Sequence, residues 1–126
     1  MSRSVFNYRR GHGSGILLSS DSFNRTDSTT LGSTDGTGLA DPLTWTENNG
    51  DWEIFSNEVR YVSGGGGAAR GVATVDYGFS DIDIQIKLVS AGDNGLCFRY
   101  LNGSNFWAAR TVGTDCYRGA KSAGTE

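Results

Sequence analysis

Three observations predict that this chain is all-β, an antiparallel sandwich or jelly roll of about seven or eight short strands. Nineteen glycines stand against one proline, Ser, Thr, Asn and Asp are abundant, and only two lysines occur. That composition suits many tight turns between short strands and leaves helix a minor part. Residues 81–88 alternate Ile82, Ile84, Ile86 and Leu88 with Asp81, Asp83, Gln85 and Lys87, one face for a core and one for water. Finally, residues 21–52 set Phe23, Leu31, Leu39, Trp45 and Trp52 as sparse apolar anchors among Ser, Thr, Gly, Asn and Asp. Anchors so spaced predict long ordered loops on a β-scaffold.

In chain order, residues 1–20 read as a basic, Gly-rich N-terminal arm. Two small apolar groups, Val5-Phe6-Tyr8 and Ile16-Leu17-Leu18, flank the polar hinge of residues 9–15. Residues 21–126 read as one β-sandwich domain, and 126 residues suffice to bury a substantial core. Residues 52–55 and 58–62 flank Ser56-Asn57, a two-residue turn signal, and form a predicted hairpin. The glycine run 64–67 then breaks the sheet, and residues 68–77 supply the next strand. After the strand at 81–88, Gly92-Asp93-Asn94-Gly95 is a turn and residues 96–101 a strand. Asn102-Gly103-Ser104 is a hairpin loop, residues 105–112 its return, and Cys116-Tyr117-Arg118 one further short strand.

Charge is unevenly placed. Residues 1–20 carry Arg3, Arg9 and Arg10 with no acid, so the remainder holds 8 basic and 14 acidic residues. A cationic arm on an acidic body suits docking onto an acidic neighbouring protein subunit, with Phe6, Tyr8, Arg9 and Arg10 as the partner-binding residues. Three arginines make too few phosphate contacts for salt-resistant binding, so no nucleic-acid partner is expected. No apolar run approaches the ~20 residues that a helix needs to span a bilayer, so no membrane partner is expected either. The apolar core of the N-terminus, Ile16-Leu17-Leu18, also falls short of a secretory signal.

Residue constellations for chemistry are sparse. Cys97 and Cys116 are too few and too far apart for a zinc site, and the lone His12 sits apart from both. Without an export signal they read as two buried or half-buried thiols, with a disulfide left open. Asp81, Asp83 and Gln85 stand at alternate positions of one strand, ~6.5–7 Å apart along the backbone, near the ~5–5.5 Å that a retaining glycosidase needs between carboxyls. With Gln85 in the third place and Lys87 next, this row reads as a solvated sheet face, and no enzyme is expected. Asp35 and Asp93 are weak calcium candidates among the loop residues Asp35, Asp41, Asp93 and Asn94, which lack EF-hand spacing and suit local turn hydrogen bonds better. No other cofactor is expected. Trp45, Trp52, Tyr61, Tyr77, Tyr100, Phe106 and Trp107 offer flat faces for core packing or for sugar rings. Phe106 and Trp107 are adjacent on a strand, so one points inward and the other outward; Trp107 and Tyr100 are the glycan-binding candidates. Asn24-Arg25-Thr26 and Asn102-Gly103-Ser104 match the glycosylation acceptor pattern, which matters only in an exported protein.

The segments DSFNRTDSTTLGSTDG, LTWTENNGDWEIFSNEVRYV and GFSDIDIQIKLVSAGDNGLCFRYLNGSNFWAAR resemble the laminin-G-like, concanavalin-type jelly rolls of virion proteins from bacteriophages infecting actinobacteria. The matching steps are Phe23-Asn24-Arg25, Trp45 and Trp52 around a Gly-Asp turn, Ile54 and Asn57, and residues 95–100 leading to Asn105-Phe106-Trp107. The resemblance covers most of residues 21–112. It implies a non-enzymatic virion structural protein, a capsid decoration, minor capsid or minor tail component assembled in the host cytoplasm. Other virion proteins and further copies of the chain would be its partners. Its alternative implication is a carbohydrate-binding module for host cell-surface glycans, since this fold carries structural, sugar-binding and enzymatic proteins alike. Domains of this kind usually continue for several strands beyond the Phe106-Trp107 position. An open sheet edge covered by a neighbouring subunit is therefore expected.

Overall fold

The computed structural model describes residues 6–10, 15–64, 71–79, 82–90, 94–112 and 115–121, with residues 6–10, 112 and 115–121 described through their backbone. The architecture is all-β. Among the described residues ten strands follow in order: β1 (Phe6–Arg10), β2 (Ile16–Asp21), β3 (Thr46–Asn49), β4 (Asp51–Phe55), β5 (Glu58–Ser63), β6 (Val72–Thr74), β7 (Ile82–Ile86), β8 (Asn94–Asn102), β9 (Asn105–Val112) and β10 (Asp115–Lys121). They form four small sheets, β2-β1-β7, β10-β9-β8, β3-β6 and β4-β5, and every strand pair is antiparallel. No helix occurs among the described residues.

Part of the expected arm is a strand. Residues 6–10 are the middle strand of a sheet: Phe6 to Arg10 pair with Asp21 to Ile16 on one side and with Ile86 to Ile82 on the other. Extended Phe-Asn-Tyr-Arg-Arg can hydrogen-bond along both edges at once, which satisfies more backbone groups than an isolated tail can. The side chains of Phe6, Tyr8, Arg9 and Arg10, expected to bind a partner, lie outside the described part. The free edge of β2 is covered in turn. Gly36 N, Leu39 N and Ala40 N donate to Ser20 O, Leu17 O and Leu18 O at 2.9, 3.0 and 2.8 Å. Glycine is required for this close approach: a Cβ on Gly38 would lie 2.3 Å from Leu18 O.

Local signals account for the central part of the chain. Ser56 and Asn57 both adopt positive φ, 52° and 64°, the type I′ geometry whose twist matches the flanking strands β4 and β5. Ile82, Ile84 and Ile86 of β7 pack against the core while Asp83 and Gln85 are exposed, as the alternation predicts. Leu88, read as the fourth member of that row, lies past the strand end and is exposed. The strand expected over residues 68–77 is only β6 in the described part. Gly50, at φ 77°, is where the chain leaves β3, paired with β6, and enters β4, paired with β5. A bend at positive φ lets two consecutive strands belong to different sheets.

Leu18, Phe23, Leu31 and Ile54 are the buried centre of the core. Trp45, Trp52, Val59, Ala73, Val75, Tyr77, the three isoleucines of β7 and Leu96 pack around it. Full burial of each central side chain contributes about 1.5–3 kcal/mol. Leu39, read as an anchor, is exposed instead.

Two buried or half-buried carboxylates order the loop between β2 and β3. Asp21 is fully buried and accepts hydrogen bonds from Phe23 N at 2.9 Å, Trp45 Nε1 at 2.7 Å and both Arg25 Nη atoms at 2.7 and 3.1 Å. Arg25 Nη2 also donates to Leu31 O at 2.6 Å. This network holds Phe23 at φ 54°, a conformation strained for a bulky residue, with its ring 5.7 Å from that of Trp45. Asp41 accepts from Ser19 Oγ, from Thr34 Oγ1 at 2.7 Å, and from the N–H groups of Gly38 and Ser20 at 2.8 and 3.1 Å. Burial opposes ionisation of Asp41, but these four donors outweigh it and hold the carboxyl below its ordinary value.

Candidate functional site

The C-terminal hairpin of β8 and β9 is built differently from the rest. Its ladder starts regularly, from Asn94↔Thr111 to Phe98↔Trp107, and closes at Asn102↔Asn105 beside the loop. Between the last two pairs, residues 99–101 of β8 stand against Phe106 alone. Arg99 takes up this excess at φ 51°. The bulge resets what lies opposite what. Counting back from Asn102↔Asn105 in an unbroken ladder sets Tyr100 opposite Trp107; the bulge sets Phe98 there instead.

The two faces of the hairpin therefore carry different aromatic pairs. Phe106 is buried, its ring 5.9 Å from that of Tyr100. Trp107, its neighbour on the strand, points the other way and is 49% exposed. Directly across the ladder lies Phe98, 38% exposed, its ring 6.4 Å from that of Trp107 with only 16° between the planes. Near-parallel rings at this distance form an offset pair with apolar surface open to solvent. Leu101, on the bulge, is 77% exposed.

The structure thus separates the two glycan-binding candidates. Trp107 is on the open face. Tyr100 belongs with Phe106 on the other side, where burial and then the nearby Cys97 raise its pKa. Phe98 and Arg99 were missed because no sequence signal marks a bulge whose only local trace is one arginine at positive φ.

Burial also pushes the Cys97 thiol up, which keeps it neutral and poorly nucleophilic near pH 7. Register rules out the open disulfide. Cys97 lies in the row Cys97–Ala108–Gly119 and Cys116 in the row Asn94–Thr111–Cys116. Two strand spacings, about 9–10 Å, separate them before any offset along the strands, beyond the ~7 Å Cα limit for a bridge. Cys97 is a free thiol.

Of the two calcium candidates, Asp35 is among the described residues. Asp35 accepts from Ser22 N and Ser22 Oγ at 3.0 and 2.5 Å and sits 3.9 Å from Arg25, so its oxygens serve a turn. Asp93 and His12 lie outside the described residues. Among the described residues no three His, Cys, Asp or Glu side chains cluster in a way that suits a metal ion. Of the acidic row on β7, Asp83 is exposed and Asp81 lies outside the described residues.

Rigid stacking and hydrophobic contact are what this hairpin face can do chemically. Comparison of the chain with protein-family models, with curated protein sequences and with solved structures gives no match.

Proposed function

We propose that this chain is a non-enzymatic binding protein of a bacteriophage virion, a jelly-roll-type β-domain that holds carbohydrate on the open face of β8 and β9. The observation that carries this reading is the exposed, near-parallel Phe98–Trp107 pair. Sugar rings have apolar C–H faces that pack on flat aromatic surfaces, and a pair held across a hydrogen-bonded ladder is already in place before the ligand arrives. The virion setting is supported by the resemblance of residues 21–112 to phage jelly rolls. Binding of the full chain to a glycan array, lost in Trp107→Ala while far-UV circular dichroism is unchanged, is the expected result. Equal binding by wild type and Trp107→Ala would overturn it.

A second reading, a structural subunit that docks to neighbouring virion proteins or to further copies of itself, is favoured by the solvent-exposed Leu101 on the same strand as Phe98. Light scattering separates the two. A defined homo-oligomer dispersed by Trp107→Ala is the outcome expected of the structural subunit, and a monomer that binds glycan is the outcome expected of the module.

A further inference from the structure

The distribution of charge narrows the ligand. Residues 21–93 hold twelve acidic residues against Arg25, Arg60, Arg70 and Lys87. Residues 94–121, which contain the whole β8-β9-β10 sheet, reverse that balance with Arg99, Arg110, Arg118 and Lys121 against Asp115 alone. The sheet that carries the exposed Phe98–Trp107 pair is thus net cationic, in contrast to residues 21–93.

Arg99 is the second observation. It is exposed, follows Phe98 directly, and occupies φ 51°, where an L-residue other than Asn, Asp or Gly is uncommon. Glycine would fill the bulge without strain. Consecutive Cα atoms are about 3.8 Å apart, so the Arg99 side chain is rooted one residue from that of Phe98. Strain retained at an exposed arginine beside a stacking surface points to a use for its charge.

Resting on the carbohydrate reading above, we propose that the ligand of this face is an anionic glycan: Phe98 and Trp107 stack on its sugar rings and Arg99 pairs with a carboxylate that the sugar carries. A guanidinium binds a carboxylate through two parallel N–H···O bonds, which fixes the orientation of the sugar on the rings. The acidic balance of residues 21–93 disfavours the same polymer on that part of the chain. A nucleic-acid strand also combines stacking with negative charge, but its phosphates call for a basic groove tracking the backbone rather than one exposed arginine at the ring pair.

The test titrates the full chain, at two salt concentrations, with alginate oligomers, neutral cello-oligosaccharides and single-stranded oligo(dT), following tryptophan fluorescence. Alginate is expected to bind more tightly than either other probe, and more weakly at high salt. Arg99→Gln and Arg99→Gly should each weaken alginate about tenfold, while Trp107→Ala should abolish binding. Arg99→Gly guards against a folding artefact, because glycine suits the bulge. Preference for the neutral oligosaccharide, or unchanged alginate affinity in both Arg99 variants, overturns the anionic ligand and leaves the carbohydrate reading standing. Oligo(dT) bound as tightly as alginate overturns it in favour of nucleic acid. Binding to none of the three overturns the anionic ligand and counts against the carbohydrate reading.

Discussion

The loop of residues 22–45 and the β8–β9 hairpin each hold a close aromatic pair, and they use it in opposite ways. Phe23 and Trp45 lie 5.7 Å apart with Phe23 buried and the indole N–H of Trp45 committed to Asp21. Phe98 and Trp107 lie 6.4 Å apart with both rings exposed. Spacing and ring type hardly distinguish them. A buried carboxylate under one pair makes it part of the core, whereas the other rests on the backbone ladder and leaves its apolar surface unspent.

That contrast breaks most visibly at Asp21. Asp21→Ala leaves the Arg25 guanidinium and the Trp45 N–H without their acceptor and should destabilise the fold by about 3–5 kcal/mol in urea unfolding. A loss below 1 kcal/mol would mean that the loop is not held by this carboxylate. Asp41 should matter less. Asp41→Asn removes a charged acceptor and should lower stability by about 1–2 kcal/mol at pH 7.

Acid sharpens the same point. The folded pKa of Asp41 lies below its ordinary value of 3.8, so its ionisation stabilises the fold above that pH, and the contribution is lost as pH falls through the folded value. Wild type should therefore lose stability below about pH 4 more steeply than Asp41→Asn, as read by urea midpoints measured down the pH scale. Parallel slopes would dismiss the contribution of Asp41.

On the hairpin the expected effects are smaller or reversed. Arg99→Gly should raise stability by up to about 1 kcal/mol, because glycine adopts the bulge geometry without strain. Trp107→Ala, which leaves no buried cavity, should change the thermal midpoint least of all, by an amount corresponding to about 0.5 kcal/mol. A large loss there would place Trp107 in the core and remove the basis for a binding face.

Much of the fold was legible because it depends on neighbours in the chain. The isoleucine alternation of β7 and the Ser56-Asn57 turn are each decided within a few residues, and each appears in the structure at the expected position. Cys116-Tyr117-Arg118 likewise falls in β10. Of the candidate site, Trp107 was legible as one of two adjacent aromatics that must face opposite ways.

Its partner was not. The turn at Gly103-Ser104 and a regular ladder point to Tyr100 opposite Trp107, and only the excess of residues at Arg99 exchanges Tyr100 for Phe98. The same holds for β1: five residues that read as a tail became a central strand because β2 and β7 offered two unpaired edges at once. By itself the sequence determined the Ser56-Asn57 hairpin and the apolar face of β7, since pleat and turn geometry are local. Tertiary structure alone decided how strands distant in the chain pair, as β1 does with β7 and β3 with β6, because those hydrogen bonds join backbones far apart in the chain and are blind to side-chain identity.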